Sequence, residues 1–347
     1  MKKILLLITF LFLYFYKKNI NIMYYFSQNF GDHLNYFLLK DMMEENIYFY
    51  DILFNIKKEN LSDIQIIKKL NKIAKIDLFF IGSILDSICT SSYNFYKQRN
   101  KYIEIISKFY FKIIDYFYPL IIYGAGFISP QKMINESYIR NIKIIAVRGN
   151  ITLQRFKKNG VKIDENIILA DPGILASMLL NITNTNEVKF QKKYDLCIIP
   201  HYIDMNYSII KKQIQVNNSI ILNINNNPIN FIESILKCKN VLSSGLHGLI
   251  IADSLGIPNM RMVVSDNIIG GDYKFMDYYS AYNLKLPPKI DIRITKFDNN
   301  YLKNISNNHY ISKDIIRNKQ CDLLSNFPFK LRKKYKLFKK SVCNYNH

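Results

Sequence analysis

Short apolar runs alternate with helical stretches along the chain, the pattern that stacked βαβ units leave in a sequence. Ile22 to Phe26, Ile76 to Ile81, Leu120 to Tyr123, Ile142 to Val147 and Ile167 to Leu169 read as strands of a first parallel sheet. Between the first two, Asp63 to Ala74 carries Ile64, Ile67, Leu70, Ile73 and Ala74 at helical spacing, with Ser62 placed to cap it. The polar stretch from Asn181 to Gln191 has no period and reads as a linker. A second set follows: strands Asp195 to Ile199, Ser219 to Asn225, Asn240 to Ser243 and Asn259 to Val264, a helix after Pro228, and another opening near His247. Lys313 to Phe327 reads as a final helix. The pattern predicts an α/β protein with two Rossmann-like domains facing a cleft, over residues 23–180 and 192–312, then a C-terminal helix and basic tail over 313–347. No internal repeat is evident.

The first 22 residues stand apart. Ile4 to Tyr16 is a 13-residue stretch between lysines, apolar but for Thr9, the length of a signal-peptide core and short of the roughly 20 that span a bilayer. No small-residue cleavage site follows. An uncleaved anchor, a buried strand or helix, and sequence upstream of the true start all remain open. Met23 heads the strand-like Met-Tyr-Tyr-Phe-Ser, so the domain is expected to begin there and residues 1–22 to be dispensable.

Apolar residues make up 49% of the 347 and charged residues 22%, which excludes global disorder and leaves ample material for two cores. The net charge of +21 invites phosphate. The chain is, however, saturated with Asn, Ile, Lys, Tyr and Phe and has no Trp, a bias of coding composition that needs no polyanion partner, and no specific nucleic acid is implied. Five cysteines (Cys89, Cys197, Cys238, Cys321 and Cys343) lie far apart without C-x-x-C, so reduced thiols in a cytoplasmic protein are expected. No Asp-x-Asp or His-x-x-x-His spacing asks for a metal.

The segment richest in chemistry runs from Val241 through Ser243, Ser244, Gly245, Leu246, His247 and Gly248 to Pro258. An apolar strand enters a loop of small residues and a helix opens with His247 in its first turn. Backbone N–H groups and the helix dipole there attract an anion, and an imidazole beside it can bind phosphate or exchange a proton. The alternative is a structural histidine. Asn29-Phe-Gly-Asp-His-Leu-Asn follows the first strand, where Asp32 is either a helix cap or a carboxylate for a sugar hydroxyl. Arg148 ends a strand, where its fork of donors either clamps an anion or forms a salt bridge between elements. Tyr123-Gly-Ala-Gly-Phe is too short for a dinucleotide fingerprint. Asp171-Pro-Gly and Pro200-His-Tyr also end strands.

Taken in order, Asn29-Phe-Gly-Asp, Ile81-Gly-Ser-Ile-Leu, Gly124-Ala-Gly, Val147-Arg-Gly-Asn-Ile-Thr, Ala170-Asp-Pro-Gly, Ile199-Pro-His-Tyr, Ser243-Ser-Gly-Leu-His-Gly and Lys274-Phe-Met-Asp-Tyr-Tyr-Ser resemble the polysaccharide pyruvyl transferase family from about Met23 to about Ala281. The resemblance implies a GT-B-like fold and transfer of a pyruvyl group from phosphoenolpyruvate, as co-substrate without a further cofactor, to two hydroxyls of a sugar. The product would be a cyclic ketal on a surface polysaccharide or its lipid-linked precursor. By position His247 matches the family's histidine at the donor phosphate and Arg148 its arginine on the donor anion; with these, we read His247 and Asp32 as catalytic, Arg148, Ser243, Ser244, Gly245 and Gly248 as donor-binding, and Asn35, His201 and Lys274 as acceptor-binding. Many members carry an arginine where this chain has Gly245. Two other readings stay open: a GT-B glycosyltransferase using a nucleotide-sugar, and a non-catalytic assembly protein at the membrane surface. The tail from Phe329 to Lys340 interleaves seven basic residues with Leu331, Tyr335, Leu337 and Phe338, which suits contact with the anionic inner face of the cytoplasmic membrane.

Overall fold

A computed structural model describes residues 19–24, 30–51, 77–83, 85, 119–130, 142–180, 191–205, 207–307 and 311–343. The expected helix over 63–74, Cys89 and all but the last residue of the expected linker lie outside these.

Six parallel strands build the first sheet: β1 (Asn19–Tyr24), β2 (Asn46–Asp51), β3 (Leu78–Phe79), β4 (Leu120–Tyr123), β5 (Ile142–Val147) and β6 (Ile168–Leu169), in the order β2-β1-β3-β4-β5-β6. Five more build the second: β7 (Tyr194–Ile199), β8 (Ser219–Ile221), β9 (Cys238–Ser243), β10 (Asn259–Val263) and β11 (Lys289–Asp291), in the order β11-β10-β9-β7-β8. Read from the other edge, the second sheet repeats the order of the first five strands of the first. Each half is a doubly wound unit whose strand order reverses beside its opening strand, between β1 and β3 and between β7 and β9. The repeat that the sequence does not show is present in the topology.

β1 begins four residues before the expected domain start. Asn19 to Ile22 pair with Asn46 to Phe49, Ile22 is fully buried, and the Asn21 N–H donates to Asp77 Oδ2 at 2.8 Å. A boundary at Met23 would cut this strand in two, so that boundary is corrected to Asn19 or earlier. β2 and β11, both edge strands, were not expected.

Helix α1 (Phe30–Met42) follows β1, and α2 (Asn150–Lys158) follows β5. A buried 3-10 helix, Pro172–Leu180, follows β6. In the second half come α3 (Tyr207–Gln213), α4 (Pro228–Leu236), α5 (Leu246–Ser254), α6 (Tyr273–Ser280) and α7 (Asn299–Asn307). Pro228 opens α4 where the sequence expects it, with Asn227 Oδ1 accepting from the Ile229 N–H at 2.9 Å.

The last two helices, α8 (Lys313–Ser325) and α9 (Lys333–Val342), return to the first half. Tyr123 of β4 donates its hydroxyl to the Leu323 carbonyl, and Gln320 Nε2 donates to the Ile174 carbonyl at 2.7 Å. Beyond them Tyr335 is fully buried, with its hydroxyl and Lys334 Nζ on Asp41, while Lys336 pairs with Glu44 at 2.7 Å. The basic tail is therefore a docked strap rather than a free terminus. One apolar core runs through both halves, from Ile22 and Leu34 by way of Ile174 to Leu249 and Tyr335.

Expected as separate thiols, four cysteines are paired. Cys197 of β7 meets Cys238 of the neighbouring β9 at a Cα separation of 5.8 Å, and Cys321 of α8 meets Cys343 just past α9 at 5.5 Å. Strand and helix adjacency unites residues that their linear spacing keeps apart, and such separations suit a disulfide.

Candidate functional site

Where strand order reverses, the loops leaving two neighbouring strands diverge and open a crevice beyond their carboxyl ends. In the first half these loops lead to Gly31 in the first turn of α1 and to Ser83. In the second half they hold His201 and Ser243 to His247. Both crevices open onto one site. A Cβ added to Gly31 would lie 1.9 Å from His247 Nδ1, so the opening turn of α1 rests against the imidazole that opens α5. Two helix N-termini, one from each half, converge there.

Glycine and serine shape the loop that presents His247. The Ser243 hydroxyl donates within hydrogen-bond range of the Ile199 carbonyl (3.0 Å) and the Gly245 carbonyl (2.9 Å), and it accepts from the Gly245 N–H at 3.2 Å. The Ser244 hydroxyl accepts from the His201 N–H at 2.8 Å. Both serines are fully buried and spend their hydroxyls on loop geometry. Gly248 is sterically required, because a Cβ there would meet Ser243 Oγ at 2.3 Å. Gly245 is not: its φ is −94°, and an added Cβ would touch only His201, at 3.5 Å. As N-cap it offers no side chain to the first N–H groups of α5, leaving that end to a ligand.

His247 Nε2 is shut off from solvent and has no hydrogen-bond partner. Burial, followed by the positive charges of Lys274, Arg148 and His201, pulls its pKa down to about 3. Burial and Lys274 do the same to His201, also to about 3, while His201 Nδ1 accepts from the Ile203 N–H at 3.3 Å. Both rings are neutral at physiological pH, with the cations Lys274 and Arg148 acting on His247. Lys274, 8% exposed, enters it from the first turn of α6.

Arg148 is fully buried and takes the salt-bridge role. Its Nε donates to Asp277 Oδ2 at 2.9 Å, Nη1 to Ser83 Oγ at 2.6 Å, and Nη2 to the Phe127 carbonyl at 2.6 Å. Gly126 makes room for it, since a Cβ there would lie 2.4 Å from the guanidinium carbon. Asp277 also accepts from the Thr152 N–H and hydroxyl, at 2.8 and 2.7 Å. At this knot α6 of the second half is fastened to α2 of the first. Next to it Asp171 is fully buried, with Oδ1 accepting from the Gly173 N–H at 2.8 Å and Oδ2 without a partner. Burial raises its pKa to about 6, against the pull of Gly173 and Arg148 and with a push from Asp277.

Of the remaining candidates, Asn35 is placed on structural duty rather than at an acceptor. It is 1% exposed, with Oδ1 accepting from the Ile81 N–H at 2.7 Å and Nδ2 donating to the Ile81 carbonyl at 3.1 Å. It joins α1 to the end of β3 as a strand would. Asp32 lies inside the first turn of α1, which opens at Phe30, and so is not its cap; its side chain lies outside the described residues. Asp277 was not among the candidates, although it stands three residues after Lys274 on one helix, a spacing that shares a face.

Among the described residues no cluster of three His, Cys, Asp or Glu side chains comes together, and no helix is long and apolar enough to cross a membrane.

An uncharacterised protein, L143, of Acanthamoeba polyphaga mimivirus is 29% identical over 237 residues, covering 65% of this chain and 77% of its own. A solved structure, that of the functionally uncharacterised KP1_0663 of Klebsiella pneumoniae subsp. pneumoniae NTUH-K2044, aligns over 82% of this chain and 97% of its own, at 15% identity and a TM-score of 0.40. The family model described as polysaccharide pyruvyl transferase matches residues 29–267, from just before the turn of α1 that meets His247 to past the end of β10. That span is more than half of the chain and contains His247, Arg148, Asp171 and His201, so the protein belongs to the polysaccharide pyruvyl transferase family.

Proposed function

We propose that the chain transfers a pyruvyl group from phosphoenolpyruvate to two hydroxyls of a sugar, on a surface polysaccharide or its lipid-linked precursor, and forms a cyclic ketal. The observation that carries this reading is His247: an unpartnered, buried Nε2 between two helix N-termini, with Lys274 beside it. Such a place suits a phosphate. Burial first and the neighbouring cations second hold the imidazole neutral; a dianion bound there opposes both, so the donor itself raises the pKa of His247 and turns it into an acid.

The reaction then needs few parts. His247 gives a proton to the methylene carbon of the enol ether, whose π pair forms the new C–H bond. A sugar oxygen bonds to the adjacent carbon and loses its proton to a base, a role we give to Asp32. The carbon–oxygen bond to phosphate breaks with its electron pair on the leaving phosphate, which Lys274 and the α5 N–H groups stabilise. A second hydroxyl adds to the same carbon, gives its proton to the now neutral His247 and closes the ring. Arg148 acts behind these groups: its hydrogen bonds hold α6, and with it Lys274, in place. Lys274 moves from the acceptor to the donor in this assignment, and His201 faces the acceptor.

The two similar doubly wound halves with their shared crevice support a GT-B-like arrangement. An enzyme working at the membrane surface fits a lipid-linked acceptor. Along α9, Lys333, Leu337 (54% exposed) and Lys340 lie at i, i+4 and i+7 on one exposed side, suited to an anionic leaflet.

The test is donor-dependent turnover with a lipid-linked glycan, offering phosphoenolpyruvate and, separately, nucleotide-sugars. Acceptor-dependent phosphate release, lost in His247→Ala, is expected. Release of nucleotide instead would replace this reading with a glycosyltransferase.

A further inference from the structure

A cavity of about 160 Å³ lies at the carboxyl ends of β10 and β11, outside the His247 site. Three cations and three carboxylates line it, and they are already matched. Asp272 accepts from Arg261 Nη1 at 2.6 Å and from Lys289 Nζ at 2.7 Å. Arg293 pairs with Asp291 through Nη2 at 2.6 Å and with Asp266 through Nη1 at 2.5 Å. A phosphate or carboxylate entering here meets no net positive charge. A neutral ligand rich in hydroxyls meets carboxylate acceptors and guanidinium donors side by side.

One buried polar atom of the lining lacks a partner. Arg261 is 8% exposed, its guanidinium lies 3.7 Å from the Phe275 ring centre, and its Nε has neither solvent nor a hydrogen-bond partner. Ser265 of the cavity wall donates its hydroxyl to Asp204 Oδ1. Burying an unmet donor is unfavourable, and a ligand that parts the Arg261–Asp272 pair and offers an oxygen to the freed guanidinium removes that penalty. The rim pairs, being partly exposed, open for a ligand at small cost.

Size and position narrow the ligand further. The cavity is smaller than the roughly 300 Å³ at which pockets for drug-sized molecules begin, so it suits a single sugar ring. Asp272 immediately precedes α6, whose first turn carries Lys274 into the His247 site. From these features we infer that the cavity is a subsite for one neutral sugar unit of the acceptor glycan, adjacent to the sugar that reacts. The identification of the ligand as part of the acceptor rests on the transferase reading; the binding of a neutral sugar does not.

The experiment is saturation-transfer NMR on the full chain with methyl glycosides of glucose, galactose, mannose and N-acetylglucosamine, beside a 31P titration with inorganic phosphate. Saturation of at least one glycoside is expected, falling at least five-fold in Arg293→Ala, a partly exposed site that should leave the fold intact, and in Arg261→Lys if that variant folds by circular dichroism. Silence across the panel, an undiminished signal in Arg293→Ala, or phosphate broadening abolished by Arg293→Ala would each overturn the inference. Binding is read without turnover. A chain that binds the glycoside but ignores phosphoenolpyruvate therefore defeats the transferase reading alone, and one that turns over phosphoenolpyruvate with no cavity-dependent sugar binding defeats this inference alone.

Discussion

The imidazole of His247 and the backbone of Gly31 touch across the two halves so closely that a single added carbon on Gly31 would fall 1.9 Å from Nδ1. Gly31→Ala therefore has to displace the ring. We expect turnover to fall on the order of 100-fold, as misplacement of a reacting group by about an ångström does, with a stability loss of about 1–3 kcal/mol from overpacking. Steady-state kinetics and a urea melt check this; full activity in the variant would remove His247 from the reaction.

The Arg148–Asp277 pair gives a different signature. Both side chains are fully buried, so removing one leaves the other charged and without its ion-pair partner. Asp277→Ala should cost about 3–5 kcal/mol. Arg148→Lys should also destabilise, because one ammonium cannot reach Asp277, Ser83 and Phe127 together. If chemical denaturation finds Arg148→Lys as stable as the parent while donor KM rises, the arginine belongs on the donor after all.

Asp171 predicts a pH dependence with a definite sign. Its pKa in the folded chain, about 6, lies above the ordinary 3.8, so the folded state holds a proton that the unfolded state releases. Its contribution is fully present below about pH 3.8 and is lost as pH rises through 6. Asp171→Asn, which keeps an oxygen for the Gly173 N–H, should gain stability relative to the parent between pH 4 and 7. The gain is bounded at roughly 3 kcal/mol, from about 1.36 kcal/mol per pKa unit. His201 and His247, held near 3, act oppositely, lowering stability as pH falls below 6.5. Denaturation of both chains across this range decides it; a constant difference would show that Asp171 does not titrate there.

The two termini make the fourth test. A chain starting at Met23 loses four of the six β1–β2 pairs and buried Ile22, and should be insoluble or much less stable, whereas one starting at Asn19 should fold. Truncation after Pro328 removes buried Tyr335 and Leu331 and should destabilise rather than merely release a membrane contact. Lys333→Glu with Lys340→Glu leaves the docked face alone. That pair should lose salt-sensitive flotation with phosphatidylglycerol vesicles, at roughly 1 kcal/mol per basic residue; unchanged flotation would discard the membrane role of α9.

How much of this the sequence discloses depends on where each signal lives. β4 is an apolar run with sharp ends and β5 an apolar run broken only by exposed Lys143, and the pattern locates both to the residue. The strand, small-residue loop and helix around His247 are likewise local, and so legible. β11 gives no such signal, because Lys289–Asp291 has one buried residue between polar neighbours, and β2, although it carries Ile47-Tyr48-Phe49-Tyr50, sits at a sheet edge where Tyr48 is 56% exposed. The site's other half is written in long-range contacts. Nothing near Arg148 announces Asp277, 129 residues away, and Asn35 resembles a sugar ligand until Ile81 is seen against it. Composition favoured separate thiols, and only strand adjacency shows Cys197 beside Cys238.

The return of α8 and α9 onto the first half sets a timetable for synthesis. Tyr123 waits for Leu323, and Asp41 for Tyr335, so the opening sheet emerges from the ribosome with part of its covering still untranslated. At about 5–20 residues per second, roughly ten seconds or more separate the two. During that interval an apolar surface stands open on the nascent chain, and a chaperone that shields it until the last helix appears should raise the yield of native protein more than one acting after release.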